Sequence, residues 1–231
     1  MAITTVGFDA DDTLWHNETI FRMTQARFRE LMADHAEPEF LDARLAEVER
    51  RNLALYGYGV KGFTLSLIET AMDITGGEPP GRMIADILAA GREMLRHPVE
   101  PVPGAEEAVQ ELAKHYTLVL ITKGDLLHQE QKLAASGLGE LFHGVEIVSE
   151  KDAAGYARIF TRHGAGAEQS AMAGNSLRSD VLPALEAGAY AAHIPYHVTW
   201  HHETAEPPTG HPRFAELASI RDLPAWVEGL S

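Results

Sequence analysis

The chain has 231 residues, 45% of them hydrophobic, which is enough to bury a sizeable core as one large domain or as a domain carrying an inserted second one. Its 34 Asp and Glu against 19 Lys and Arg give a formal charge of -15, which argues against nucleic-acid or anionic-membrane partners, since those need basic patches. There are no cysteines, so disulfides and thiolate metal sites are excluded, and neither a signal-like N-terminus nor an apolar run of bilayer length is present; a soluble cytoplasmic protein is expected.

The first element is an apolar, β-branched run from Ile3 to Phe8, read as a buried strand. Directly after it come Asp9, Asp11 and Asp12, three acids within four residues. Such a cluster repels itself unless something neutralises it, and a divalent cation on hard oxygen ligands is the usual remedy. The same residues followed by Thr13 would also serve as a helix N-terminal cap.

From Trp15 the pattern turns helical for some eighty residues. Apolar positions recur at helical spacing around Ile20 to Met32, Phe40 to Leu55, Phe63 to Met72 and Met83 to Leu95, with Gly57, Gly59, Gly76 and Gly77 between them. Four amphipathic helices on short loops predict a small bundle. Pro98, Pro101 and Pro103 then mark a stiff connector.

Beyond it, helices and strands alternate: helix from Ala105 to Lys114, strand from Tyr116 to Thr122, helix from Leu126 to Ser136, strand from Val145 to Val148, helix from Tyr156 to His163, strand from Ser170 to Ala173, helix from Ser179 to Ala187 and strand from Ala189 to Ile194. This predicts a parallel sheet covered on both faces, with the ligand site at the carboxyl ends of its strands. Thr122, Lys151, Asn175 and Asp180 all fall just past such ends. A last strand from Phe214 to Ile220 and a terminal helix from Asp222 to Val227, capped by Asp222, close the chain. His193, His197, His201, His202 and His211 fit no standard zinc spacing.

Asp9-Ala10-Asp11-Asp12-Thr13 resembles the first motif of the haloacid dehalogenase superfamily, most of whose members are magnesium-dependent phosphohydrolases. Thr122 in Ile121-Thr122-Lys123-Gly124, Lys151 in Ser149-Glu150-Lys151-Asp152, and Gly174-Asn175-Ser176 with Asp180 resemble the second, third and fourth motifs, in the family's order. Two positions depart: Lys123 stands where Asn is common, and Asn175 where Asp is common.

The resemblance implies a Rossmann-like three-layer α/β/α core formed by residues 1–14 and 99–231, with residues 15–98 inserted as a helical cap domain. It implies Asp9 as nucleophile, Asp11 as general acid and base, and Thr122, Lys123 and Lys151 as groups facing a phosphoryl substrate. Mg²⁺ is the implied cofactor, held by Asp9, the Asp11 carbonyl, Asn175 and Asp180, and a small phosphorylated metabolite the implied substrate. A 2-haloacid dehalogenase, which attacks carbon and needs no metal, stays open: Asp11 speaks against it and Asn175 for it. A non-enzymatic binding protein on the same fold is the remaining alternative.

Overall fold

The computed structural model describes residues 2–198 and 205–230, and the chain divides into two compact units. One comprises residues 1–18, 99–123 and 129–231, the other residues 19–98 and 124–128.

The first unit is built on six parallel strands, β1 (Thr5–Phe8), β2 (Thr117–Lys123), β3 (Gly144–Val148), β4 (Ser170–Gly174), β5 (Tyr190–His193) and β6 (Phe214–Glu216), in the order β3-β2-β1-β4-β5-β6. Side chains alternate across the sheet, as strand geometry requires. Phe8, Leu118, Leu120, Ala171 and Ala173 enter one buried cluster with residues of α5 (Ala105–Leu112), α6 (Leu126–Ser136) and α9 (Leu223–Glu228). Val119, Ile121 and Met172 enter another with α7 (Ala153–His163) and α8 (Leu182–Glu186). Gly7, in the middle of β1, is needed for this packing, because a Cβ there would lie only 3.0 to 3.2 Å from Met172, Ile121 and Phe160.

The strand order reverses beside β1, which pairs with β2 on one side and β4 on the other. In open parallel sheets the crevice for a ligand opens at that reversal, at the carboxyl ends. Asp9 follows β1, and Asn175 follows β4.

Two expected elements differ. The helix expected over Ser179 to Ala187 begins as a wide π-turn, Leu177–Val181, in which the Val181 amide donates to the Ser176 carbonyl five residues back, and continues as the short α8. The last strand stops at Glu216, because Ser219 starts a new turn: its hydroxyl accepts from the Arg221 amide while the Asp222 carboxylate accepts from the Ser219 amide. Asp222 thus serves a reciprocal cap centred on Ser219 and makes no side-chain cap of its own to α9.

The second unit contains α2 (Pro38–Tyr56), α3 (Val60–Ile74), α4 (Gly81–Leu95) and most of α1 (Glu18–Leu31). Its core is Phe28, Met32, Leu41, Leu45, Phe63, Leu67, Met83 and Ile87, the greater part of the apolar stripes expected from the spacing, whereas Phe40, Leu55, Met72 and Leu88, expected on the same stripes, are exposed. Arg29 grips Asp42 with two nitrogens at 2.7 and 2.9 Å, and Asn52 donates to Ser66 in the α2–α3 seam. Among the described residues no helix is long and apolar enough to cross a membrane.

Candidate active site

Four loops at the carboxyl ends of β1, β2, β3 and β4 bring the expected residues together. Asp9 is held first by backbone, its amide donating to the Ala173 carbonyl at 2.9 Å. One carboxylate oxygen accepts from Lys151 Nζ at 2.5 Å and the other from the Thr13 hydroxyl at 3.0 Å. Lys151 also donates to Asp180 Oδ1 at 2.7 Å, and its side chain is only 2% exposed. A surface lysine is therefore ruled out. A buried ammonium is costly unless paired and hydrogen-bonded, and here two carboxylates share it.

That sharing sets the electrostatics. Burial, and then the charge of Asp180, push the Asp9 carboxyl up to about 7, against the opposing pull of Lys151. The same two carboxylates outweigh burial at Lys151 and hold its ammonium well above the ordinary lysine range.

Asp11 lies in a different setting. Its Oδ1 accepts from Lys132 Nζ at 2.5 Å and from the Trp15 indole at 2.7 Å, and its Oδ2 from the Gln129 amide at 3.0 Å. Burial pushes this carboxyl up, but Lys132, by charge and by hydrogen bond, and then Trp15 and Gln129 outweigh it and leave it below the usual value. Asp12 has no lysine. It takes φ +62°, uncommon for a residue other than glycine, and accepts from the backbone amides of Asn17 and Glu18, so it caps the first turn of α1. Burial raises its carboxyl to about 7 in spite of those two bonds. The helix-cap reading of the acidic cluster thus holds for Asp12, while Asp9 and Asp11 point elsewhere.

Thr122 is buried at the end of β2, where its hydroxyl accepts from Gln129 at 2.9 Å. Lys123 donates to the Ser179 hydroxyl at 2.9 Å and lies 4.0 Å from Glu150. Asp180 turns one oxygen to Lys151 and the other to the Ser176 amide at 2.9 Å. It is therefore a brace for Lys151 and for the loop after β4. Gly174 makes room for it, since a Cβ there would collide with the Asp180 carboxylate.

Asn175 decides what the centre can hold. The end of its side chain lies 3.2 Å from Asp9 Oδ2, from the Asp11 carbonyl oxygen and from Thr13 Oγ1. With the amide nitrogen there, it donates to all three. With the oxygen there, a carboxylate oxygen and a backbone carbonyl oxygen each lie 3.2 Å from it. A carboxylate, a backbone carbonyl and an amide oxygen make a hard donor set, so these residues fit a cation such as Mg²⁺. They bring less charge to it than a set with Asp at 175. Among the described residues no three His, Cys, Asp or Glu side chains gather at metal-binding geometry. His193 lies close by, its ring nitrogens 3.2 Å from the Asn175 carbonyl and from Glu216. His197 packs against Tyr196, His211 accepts from the Arg213 amide, and His201 and His202 fall outside the described residues.

Ser176, from the fourth motif, completes the site together with Trp15, Gln129, Lys132 and Ser179, which do not stand out in the sequence. Gln129 and Lys132 are three apart, so one face of α6 carries both. That spacing is the signal the sequence offered, but it is hidden in the polar run His128 to Lys132.

A doubly covered parallel sheet in the order 3-2-1-4-5-6, with a lysine-bound carboxylate at its reversal, defines an α/β core of the Rossmann-like type. The model of the haloacid dehalogenase-like hydrolases matches residues 3–188, and the chain belongs to that family. It is similar to a haloacid dehalogenase-like family hydrolase from Xanthomonas campestris, with 44% identity over 99% of this chain and 92% of that one and a TM-score of 0.89. Two structures share the fold at lower identity. One is the magnesium-bound HAD-hydrolase YfnB of Bacillus subtilis, at 18% identity, 98% and 99% coverage and a TM-score of 0.67. The other is the L-2-haloacid dehalogenase of Xanthobacter autotrophicus with chloropropionic acid covalently bound, at 19%, 99% and 100%, and 0.66. No curated protein matches the chain.

Proposed function

We propose that the chain hydrolyses the phosphate monoester of a small metabolite through an aspartyl-phosphate on Asp9, with Mg²⁺ as cofactor. The observation that carries this reading is the second carboxylate: Asp11 is fixed beside Asp9 by three side-chain donors, an arrangement with a use where a leaving oxygen must gain a proton and a water must lose one. Asp9 Oδ2, the Asp11 carbonyl and the Asn175 side-chain oxygen would hold the cation. When bound, it would screen the repulsion between the carboxylate nucleophile and the phosphate dianion.

The chain's own groups do the rest. Asp9 attacks phosphorus, and the ester oxygen leaves with a proton from Asp11, which the dianion beside it makes easier to protonate. Water then attacks the aspartyl-phosphate while Asp11 takes its proton, releasing inorganic phosphate and restoring Asp9. Lys151 keeps Asp9 in place and offsets charge, and Thr122 and Lys123 supply a hydroxyl and an ammonium for phosphoryl oxygens. We read residues 15–98 as a cap that closes over substrate, and the interdomain movement described for the Bacillus subtilis hydrolase supports that reading.

A metal-independent dehalogenase is the second reading. It is favoured by the amide of Asn175, which with its nitrogen toward Asp9 and the Asp11 carbonyl closes the centre without a cation. Assays of phosphate release from a panel of phosphorylated metabolites and of halide release from 2-haloacids, each with and without Mg²⁺, separate the two. Magnesium-dependent phosphate release is expected; halide release indifferent to Mg²⁺ would overturn the proposal.

A further inference from the structure

We propose that Lys132, seconded by Gln129, is a positioning residue that fixes the Asp11 carboxylate for proton transfer; this rests on the reading of Asp11 as the proton-transfer group.

Lys132 is 8% exposed and Gln129 3%, which is unusual for residues of such length and polarity on a helix and needs a reason. Their partners supply one. Lys132 donates to Asp11 Oδ1 at 2.5 Å and to Asn17 Oδ1 at 3.2 Å. Gln129 donates to Asp11 Oδ2 at 3.0 Å, and its nitrogen also lies 2.9 Å from the Thr122 hydroxyl and 2.6 Å from the Lys123 carbonyl. All of these partners are acceptors or hydroxyls, so the nitrogen is correctly placed, and Gln129 Oε1 is left buried without a hydrogen-bond partner. An orphaned buried oxygen is costly, and it is tolerated here because the other end of the amide is fully used.

The result is a carboxylate restrained at both oxygens. Trp15, itself buried, donates to Oδ1, and α6 closes on Oδ1 and Oδ2 from a second segment more than a hundred residues away. The Asp11 backbone is already fixed by its own strand-end loop. What α6 adds is the rotamer of the side chain. A proton donor must lie within hydrogen-bond reach of the oxygen it serves, so a freely rotating Asp11 would be a poor one.

The test uses the full chain with Lys132→Met, Lys132→Arg and Asp11→Asn. An alkyl phosphate needs its leaving oxygen protonated, whereas p-nitrophenyl phosphate does not. Lys132→Met should lower kcat about a hundredfold on the alkyl ester with little change in KM, and several-fold at most on the aryl ester. Lys132→Arg should restore part of the loss. In the Asp11→Asn background Lys132→Met should add almost nothing. Equal losses on both esters, or full additivity, would overturn the proposal. A crystal structure of Lys132→Met decides the same question without any substrate: Asp11 should spread over other rotamers while the Asp9, Lys151 and Asp180 contacts persist, and an unmoved Asp11 would be fatal to the idea. If the wild type cleaves no phosphate ester, the hydrolytic reading fails by itself, and the structural arm still decides for Lys132.

Discussion

Asp9 and Asp11 are two residues apart on one loop, each bonded to a lysine at 2.5 Å, yet their carboxyls are displaced in opposite directions. The difference lies in who else uses the lysine. Lys151 divides its charge between Asp9 and Asp180, so burial and, after it, the facing carboxylate of Asp180 push Asp9 up to about 7. Lys132 has Asp11 as its carboxylate partner, with Asn17 as a neutral second acceptor, and Trp15 and Gln129 add donors. A lysine contact alone does not fix the state of a carboxylate; burial, the other charges around that lysine and the remaining hydrogen-bond donors act with it. One loop thereby carries two carboxyls displaced in opposite directions.

Removing the proposed nucleophile, Asp9, breaks this pairing most severely. Asp9→Asn should lower turnover by at least about a thousandfold with the fold intact, as steady-state kinetics and circular dichroism would check. It should also remove a pH dependence. The folded-state value near 7 lies above the ordinary 3.8, so folded protein holds the proton more tightly, and without metal Asp9 makes stability fall as pH rises from about 4 to about 7. Urea denaturation of Asp9→Asn with EDTA should lose that slope.

Lys151→Met comes next. It leaves Asp9 and Asp180 buried without their shared cation, which should cost roughly 3–5 kcal/mol at pH 8. The loss should shrink as pH falls through the carboxylate range, because protonation then removes the uncompensated charge. Denaturant titrations at pH 8 and pH 5 test both the size and the sign of the trend.

Asn175→Asp sharpens the contrast between the two acids, because it adds charge next to Asp9 and not to the Lys132 end of Asp11. Calorimetric titration should find Mg²⁺ bound roughly tenfold to a hundredfold more tightly. Turnover can fall at the same time, since the new charge also repels a phosphate dianion. Unchanged or weaker binding would remove Asn175 from the cation site.

The smallest effect belongs to Asp12, the third acid, which meets burial with backbone amides alone. Its carboxyl at about 7 means that wild type carries a penalty at alkaline pH. Asn can still accept from Asn17 and Glu18. Asp12→Asn should therefore raise stability at pH 8, opposite in sign to Lys151→Met, and the gain should shrink as pH falls through about 7 and vanish only below about 4.

How much of the molecule was legible depends on the kind of signal each part leaves. The buried strands are short apolar runs, and the four helices of the second unit repeat apolar residues at helical spacing, so both could be read from order alone. Asp9, Lys151 and Asp180 lie in recognisable motifs, and the structure draws them into one contact network. Lys132 could not be found that way. A lysine in His128-Gln129-Glu130-Gln131-Lys132 looks like any solvated helix face, and only the fold reveals that this face is turned inward. The π-turn was equally hidden, since hydrophobic spacing does not distinguish an i to i+4 from an i to i+5 bond over one turn. Ser219 was missed because the next acid, Asp222, offered itself as the cap.

The π-turn at Leu177–Val181 has one more consequence, which concerns chain length and not residue identity. Such a turn accommodates one residue beyond an α-helical turn. Deleting one residue between Ser176 and Ser179 would let the segment close as ordinary α-helix and would rotate the loop after β4 by about 100° relative to α8. Asp180 and the Ser176 amide that now binds it would part company. The brace behind Lys151 is therefore a matter of counting: Lys151, Ser176 and Asp180 could all be kept, and the loss of one residue between them would still dismantle it.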